Sequence, residues 1–435
     1  MLKEPLVEEE KLNIAMFSIH SCPVGELGTK DTGGMNVYIR ELAGELGNRG
    51  HRVDIYTRVH DSSDPQVIHL NENARVIHLR AGKNGYLHKL AIYPYLDDFT
   101  GALESFMLRE SLHYDLIHSH YWLSGQIGRW AQARWNVPHM LMFHTLGAVK
   151  NATGVGEEEP LLRITTERQI VQQCHRIIAT TEREKSELMR FYGAQPEKMI
   201  VVPCGVNMEV FQPVDKAYAR RQLGFADDEK IVLYVGRFAA LKGIDRLLKA
   251  MTHLRRHNGL KLVIIGGDGH GAPEFKAFQR LSSELGINDM ISFIGRIEQG
   301  DLPPYYSAAD LLAVPSYHES FGLVALEALA CGTPVVATEV GAMNSVICEG
   351  KTGSVVADSR PQAFARAIHD FFSKPRHAME SADSIRNSVR QFNWSHVAKA
   401  MIEKYESMLA DFNFSKMKVL GARAQAAQSG RTAIL

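Results

Sequence analysis

The 435-residue sequence predicts an α/β protein made of two doubly wound domains that face a cleft. Three observations predict it. Short apolar, strand-like runs alternate with amphipathic helical stretches along the chain, the rhythm of parallel sheets covered by helices on both faces. That rhythm restarts: a strand, a glycine-bearing loop and a helix open near Asn13 and again near Lys230. Finally, the length exceeds the roughly 250–300 residues beyond which single cores stop growing.

In chain order, strands are expected at 13–19, 52–56, 115–118, 139–143, 176–179 and 199–202. Between the first two, Met35, Ile39, Leu42 and Leu46 share one face at helical spacing, and Gly50 supplies the stop. The run Val201-Val202-Pro203-Cys204-Gly205-Val206-Asn207 breaks the pattern, so the domains are divided as 1–205 and 206–414. The second half then offers strands at 230–235, 260–265, 290–294, 310–314, 334–337 and 354–356. A last helix is expected at about 394–412 and assigned to the second domain. Residues 415–435, rich in Ala, Gln, Gly and Ser, read as a poorly ordered tail.

Composition excludes several classes. Apolar residues at 45% and charged residues at 23% are ordinary for a globular protein. Lys+Arg and Asp+Glu are 49 each, so the net charge of zero offers no bulk attraction to nucleic acid or an acidic membrane. It leaves room for a local basic pocket. Five scattered cysteines without a CxxC pair argue against a disulfide framework and a zinc knuckle. The start is acidic where a signal peptide would be basic and then apolar. No apolar run approaches 18 residues, so no membrane span is expected. A cytoplasmic protein without a nucleic-acid partner is the reading.

Four groups of residues could carry chemistry. Asp31-Thr32-Gly33-Gly34-Met35-Asn36 lies between the first strand and its helix, where glycines and unpaired helix amides could receive an anionic or hydroxyl-rich ligand. A tight strand–helix turn would look the same. Arg237 and Lys242, five apart on a glycine-flanked loop, could clamp a diphosphate or be solvated surface cations. The third group runs from Pro315 through Glu319, Ser320, Phe321 and Gly322 to Glu327. Ser320–Gly322 would open a helix suited to phosphate. Glu327, among Leu323, Val324, Ala325, Leu326, Ala328 and Leu329, needs ribose hydroxyls or an ion-pair partner to be tolerated. Glu319 could accept from sugar hydroxyls. The fourth group is His118-Ser119-His120-Tyr121-Trp122 with His144-Thr145 and His20, all at strand ends opening on one edge. No carboxylate or third histidine completes a metal-ligand spacing there, so the histidines read as scaffold and no metal is expected.

Together these motifs resemble the retaining glycosyltransferases of family 4, over nearly the whole chain from about Lys11 to Phe412. The runs 33–38, 114–126, 144–146 with 149–151, and 318–324 are most similar to the members that glycosylate inositol phosphate. The resemblance implies the GT-B fold of two Rossmann-like domains, the first binding the acceptor and the second the nucleotide sugar. It implies UDP-N-acetylglucosamine as donor and inositol phosphate as acceptor. Catalytic roles would fall on His144, Arg237, Lys242 and Glu319. Donor contacts would fall on Gly34, Arg237, Lys242, Arg296, Ile297, Glu319, Ser320, Phe321, Gly322, Leu323 and Glu327. Acceptor contacts would fall on His20, Asp31, Thr32, Gly33, Gly34, Met35, Asn36, Lys89, Tyr121, Thr145 and Arg163. Lys89 and Arg163 come from the resemblance alone, although two cations there suit a phosphorylated acceptor. The stretch Arg75, Arg80, Lys83, Lys89 lacks an apolar face and reads as an acceptor-side rim rather than a membrane surface.

The resemblance further implies a homodimer and no requirement for Mg²⁺ or another cofactor. Departures bear on the acceptor. Thr32 stands where the inositol-phosphate members usually have Ala, and Thr is common in the sucrose-phosphate synthase branch. Three alternatives therefore accompany this reading: a transferase using fructose 6-phosphate, a nicotinamide oxidoreductase, and an inert sugar-nucleotide sensor. The second lacks GxGxxG after the first strand, and Gly266-Gly267-Asp268-Gly269 is only a loose echo.

Overall fold

The computed structural model describes residues 10–28, 32–83, 85–267, 269, 271–373 and 380–432. The first half folds on an eight-stranded sheet: β1 (Asn13–Phe17), β2 (Arg52–Arg58), β3 (Val67–His69), β4 (Ala74–Leu79), β5 (Leu116–His120), β6 (His139–Met142), β7 (Arg176–Ala179) and β8 (Met199–Val201). Their order is β3-β4-β2-β1-β5-β6-β7-β8, parallel except for the β3–β4 pair. The second half folds on β9 (Lys230–Val235), β10 (Leu260–Ile265), β11 (Ile291–Gly295), β12 (Leu311–Val314), β13 (Val335–Thr338) and β14 (Gly353–Val356). Here the order is β11-β10-β9-β12-β13-β14.

Each expected strand is present, and the reason lies in two-sided burial. Ile14, Ala15, Met16 and Phe17 of β1 are all fully buried, so the strand reads as one apolar run. Strands β3 and β4 had no such signal. Arg75 and His78 interrupt β4, and the fold satisfies both. Arg75 Nε bonds Asp54 Oδ1 on β2 at 2.6 Å, and His78 Nδ1 pairs with Pro65 O at 2.8 Å.

In both sheets the order reverses at the first strand, between β1 and β5 and between β9 and β12. Loops leaving the carboxyl ends of such neighbours part to opposite faces and leave a crevice. The Gly33–Gly34 loop follows β1, His120–Tyr121 closes β5, Gly236–Lys242 follows β9, and Pro315–Gly322 follows β12. All four sequence motifs therefore line the two crevices.

The last helix corrects the sequence reading twice. It extends over Trp394–Thr432 rather than ending at 412, through a stretch rich in the strong helix formers Lys, Ala and Gln. It also belongs with the first domain, not the second. Tyr405 OH pairs with His118 Nδ1 at 2.8 Å, Arg49 Nη2 donates to Ser395 Oγ at 2.8 Å, and Arg176 pairs with Asp411. Buried Val397, Met401 and Met408 form the face that demands this cover. Among the described residues no helix is long and apolar enough to cross a membrane, and all five cysteines are free thiols.

Candidate active site in the interdomain cleft

The second-domain wall is built by two loops locked together. Gly243 has φ +69, and a Cβ there would fall 2.1 Å from Pro315 O, so only glycine permits this approach. Arg246, nearly fully buried, donates to Pro315 O at 2.8 Å and Ser316 O at 3.1 Å. The Lys242 ammonium is thereby delivered to Glu319, with Nζ at 2.7 Å and 2.8 Å from the two carboxylate oxygens. Ser316 Oγ donates to the same carboxylate at 2.8 Å. Burial pushes the Glu319 carboxyl up, but Lys242 and Ser316 more than offset it and hold it below the usual range.

Past Glu319, the helix Leu323–Ala330 is capped by Gly322, the last residue of the Ser320–Gly322 opening expected from sequence. Phe321 turns into the core against Phe392, at 6.3 Å between ring centres. Glu327 on that helix is buried, and among the described residues it forms no ion pair. Tyr306 OH donates to it at 2.7 Å and Gln299 Nε2 at 3.1 Å, and burial raises its pKa. Gln299 in turn accepts from Arg40 Nη2 of the first domain at 2.7 Å. The partners of Glu327 are thus the Tyr306 hydroxyl and the Gln299 amide.

The first-domain wall holds five of the expected acceptor residues: His20, Lys89, Tyr121, Thr145 and Arg163. Tyr121 (φ +76) and His144 (φ +60) both occupy the left-handed region, which bulky residues keep only where the surroundings impose it. Tyr121 lies between His20, 4.2 Å away ring to ring, and the Arg163 guanidinium, 4.8 Å from its centre. Arg163, fully buried, donates to Thr145 O at 2.8 Å and Thr145 Oγ1 at 2.9 Å, and its Nε bonds Glu167 Oε1 at 2.7 Å. Lys89 reaches the same neighbourhood, 3.4 Å from Glu159.

Other predicted acceptor residues act at a remove. Asn36 is fully buried: it accepts from Gly33 N at 2.9 Å and donates to Ser21 Oγ and Cys22 O, both at 2.7 Å. It shapes the glycine loop instead of facing the cleft. Met35 packs into the core and Thr32 bonds Glu26 O. Asp31 lies outside the described residues.

The histidines form a neutral stack behind His144. His120 Nδ1 and His144 Nε2 are 3.0 Å apart, and the His118 and His120 rings are 4.2 Å apart. Burial lowers His118 and His144 to about 3. Among the described residues no three His, Cys, Asp or Glu converge as a metal ion would need.

The walls also meet within the cleft. Ser320 Oγ donates to the main-chain oxygen of His144, and Thr180 Oγ1 donates to Ser320 O at 3.2 Å. A Cβ on Gly33 would stand 3.4 Å from Arg237 Nε, and one on Gly34 would stand 3.3 Å from Leu323 Cδ1. The structure thus brings Gly33 to Arg237, Gly34 to Leu323, His144 to Ser320 and Lys242 to Glu319. Arg296 lies apart, paired with Glu26 at the cleft rim. Beside it Ile297 leads to a pocket of about 490 Å³ between Leu27, Arg40, Phe211 and Gln299. Sequence reasoning missed Ser316, Thr180, Gln299, Tyr306, Lys150 and Glu159. Thr180, Gln299, Tyr306 and Glu159 are single polar residues without a motif, whereas Ser316 lies in the third group and Lys150 in one of the resemblance runs, with no role assigned to either.

The family model for glycosyltransferase family 4 matches residues 32–210, and that for glycosyl transferases group 1 matches 215–392. The chain is 40% identical to D-inositol 3-phosphate glycosyltransferase 2 of Catenulispora acidiphila over 94% of its length and 98% of that protein's. It is 38% identical to D-inositol 3-phosphate glycosyltransferase of Mycobacterium tuberculosis, covering 94% of this chain and 86% of that one. Among solved structures, sucrose-phosphate synthase from Thermosynechococcus elongatus superposes with a TM-score of 0.84 at 34% identity, over 92% of this chain and all of that one. WaaG, a glycosyltransferase involved in lipopolysaccharide biosynthesis, shares the fold at 17% identity and TM-score 0.66, over 90% and 99% of the two chains.

Proposed function

The chain belongs to the family 4 glycosyltransferases, nucleotide-sugar-dependent enzymes of the GT-B fold, and we propose that it transfers N-acetylglucosamine from UDP-N-acetylglucosamine to inositol phosphate with retention. The observation that carries this reading is the pair of separate cation groups flanking the His144–Ser320 contact. Arg237 and Lys242 stand on the donor side, and Lys89, Lys150 and Arg163 on the acceptor side. One group suits a diphosphate and the other a phosphomonoester. A phosphomonoester would give the cations of the second group oxygens that a neutral acceptor lacks.

In this mechanism the acceptor hydroxyl attacks the anomeric carbon from the face that the diphosphate leaves. The C–O bond to UDP breaks, its electron pair passes to the phosphate oxygen, and that oxygen takes the hydroxyl proton. Arg237, Lys242 and the amides opening the helix at Leu323 neutralise the charge growing on the diphosphate, without a Mg²⁺ ion. Glu319, released from Lys242, accepts from the sugar hydroxyls, and Glu327 accepts from the ribose. The His144 carbonyl faces the anomeric carbon as positive charge develops there.

The test is UDP release from UDP-N-acetylglucosamine with inositol phosphate, fructose 6-phosphate or no acceptor, with products weighed by mass spectrometry. A glycosyl-inositol phosphate product supports the reading. Turnover with fructose 6-phosphate alone replaces the acceptor, a second reading favoured by the similarity to sucrose-phosphate synthase. Silence with every acceptor refutes both.

A further inference from the structure

The acceptor-side cations already surround an anion of the protein's own. Lys89, Lys150 and Arg163 come from three separate helices, Lys89–Ile92, Gly147–Ala152 and Leu161–Gln173. All three address one oxygen, Glu159 Oε1. Lys89 Nζ is 3.4 Å away, Arg163 Nη1 is 2.9 Å away, and Lys150 Nζ is in direct contact. Glu159 is 5% exposed and Arg163 fully buried, so this is no solvated surface pair. The three cations hold the Glu159 carboxyl at about 2 against the opposing effect of burial.

Two features show that a single carboxylate is an incomplete partner here. Arg163 Nη1 makes no hydrogen bond despite its short distance to Glu159, and His20 Nδ1, beside Tyr121 on the same wall, is likewise buried without one. The Glu159 main chain, by contrast, is firmly placed. Its N–H donates to Asn151 Oδ1 at 2.7 Å and its carbonyl accepts from Asn151 Nδ2 at 3.0 Å. The side chain can therefore turn away while the loop that carries it stays.

Resting on the phosphorylated-acceptor reading above, we infer that Lys150 is a third ligand of the acceptor's phosphate and that Glu159 is a resident counter-ion which this phosphate displaces. A phosphomonoester brings three terminal oxygens and close to two negative charges, so each cation gains its own acceptor atom. A neutral polyol brings nothing able to dislodge Glu159 and meets a site already neutralised. Glu159 thus excludes unphosphorylated acceptors.

The experiment measures binding of inorganic phosphate by calorimetry, with UDP present to fill the donor half, in the wild type and in Lys150→Met and Glu159→Gln. Lys150→Met should weaken phosphate binding by about tenfold and Glu159→Gln should tighten it by about as much, the size of one charge-assisted hydrogen bond. The acceptor KM should shift in the same order, with kcat changed far less. Should Glu159→Gln fail to fold, Glu159→Asp keeps the charge but withdraws it by one methylene, and tightens binding to a smaller degree. Weaker phosphate binding in Glu159→Gln or Glu159→Asp, or unchanged binding in Lys150→Met, overturns the inference. Wild-type silence toward every phosphorylated acceptor, with the phosphate order intact, would instead remove the acceptor reading and leave the anion site standing.

Discussion

Replacing Lys242 by Met removes one charge and little volume, and its consequences separate stability from catalysis. In the wild type Lys242 Nζ bonds both oxygens of a Glu319 side chain that is 8% exposed, while Lys242 itself is 26% exposed. Removing one partner of a buried pair costs about 3–5 kcal/mol, and the partial exposure of Lys242 reduces this to about 1–3 kcal/mol. The pH dependence should also invert. Glu319 is held low in the wild type, so its contribution is present above the unfolded carboxyl pKa and is lost as pH falls through the lower folded value. Without Lys242, burial dominates and the folded pKa rises, so stability declines as pH climbs from the unfolded value toward the folded one. Urea titrations between pH 4 and 8 would read this sign change. Turnover should fall about 10²–10³-fold, the cost of losing one preorganised donor to the leaving group. The double variant Lys242→Met, Glu319→Gln should regain stability and remain inactive. UDP release within threefold of wild type in Lys242→Met would refute the donor-side assignment.

Three further variants probe the surrounding machinery. Glu327→Gln keeps an acceptor for Tyr306 OH and relieves a carboxylate whose pKa burial raises; at pH 7 it should be as stable as wild type or more so, yet bind UDP about tenfold more weakly by calorimetry. Its stability gain should vanish once pH falls below the unfolded carboxyl pKa, where both states are protonated. Gly243→Ala puts a methyl 2.1 Å from Pro315 O at φ +69 and should cost at least about 2–3 kcal/mol in urea titration. Tyr405→Phe removes the hydroxyl that meets His118, which reaches the cleft only through the rings of His120 and His144; it should cost about 1 kcal/mol of stability and leave turnover near wild type.

The parts of the molecule legible in sequence share a physical cause. A parallel strand buried on both faces must be apolar throughout, so β1, β9 and β10 declare themselves, and loops at their carboxyl ends must carry the ligand. Beyond that, single polar residues carry no period. Glu157, Glu158 and Glu159 form one acidic run, and only the fold shows that the third is buried while the first two are exposed. Gln299 and Tyr306 look unremarkable until Glu327 stands between them. Lys89 and Arg163 were reached through family resemblance, because neither helix shows a pattern that would mark its cation. The last helix misled for a related reason. Its apolar face declares that it must be covered, but not by which domain.

That misplacement bears on how the cleft can work. Because the last helix returns to the first domain, the chain crosses between the domains twice, near Val206 and near Asn393. The crossings lie side by side: Val206 N donates to Phe392 O at 2.7 Å, and Trp394 fills the space a Gly205 Cβ would need, 2.5 Å from its ring. Two adjacent strands of chain joined by hydrogen bonds resist twisting apart but permit bending about their common line, as hinges formed at element ends do. Away from these crossings, the polar ties between the walls among the described residues are side-chain contacts that one rotamer change releases, among them Arg40 to Gln299, Glu41 to Asn207, Glu26 to Arg296, Ser320 to the His144 carbonyl, Thr180 to the Ser320 carbonyl and Arg183 to the Glu339 carbonyl. Arg40 and Gln299 lead directly to Glu327, and Ser320 follows Glu319 in the chain. The residues that would hold the nucleotide sugar are thus the same ones, or immediate neighbours of the ones, that hold the domains together. If these residues hold the donor as proposed, donor binding and domain closure draw on a shared set of contacts, which would link filling of one half-site to the geometry of the other.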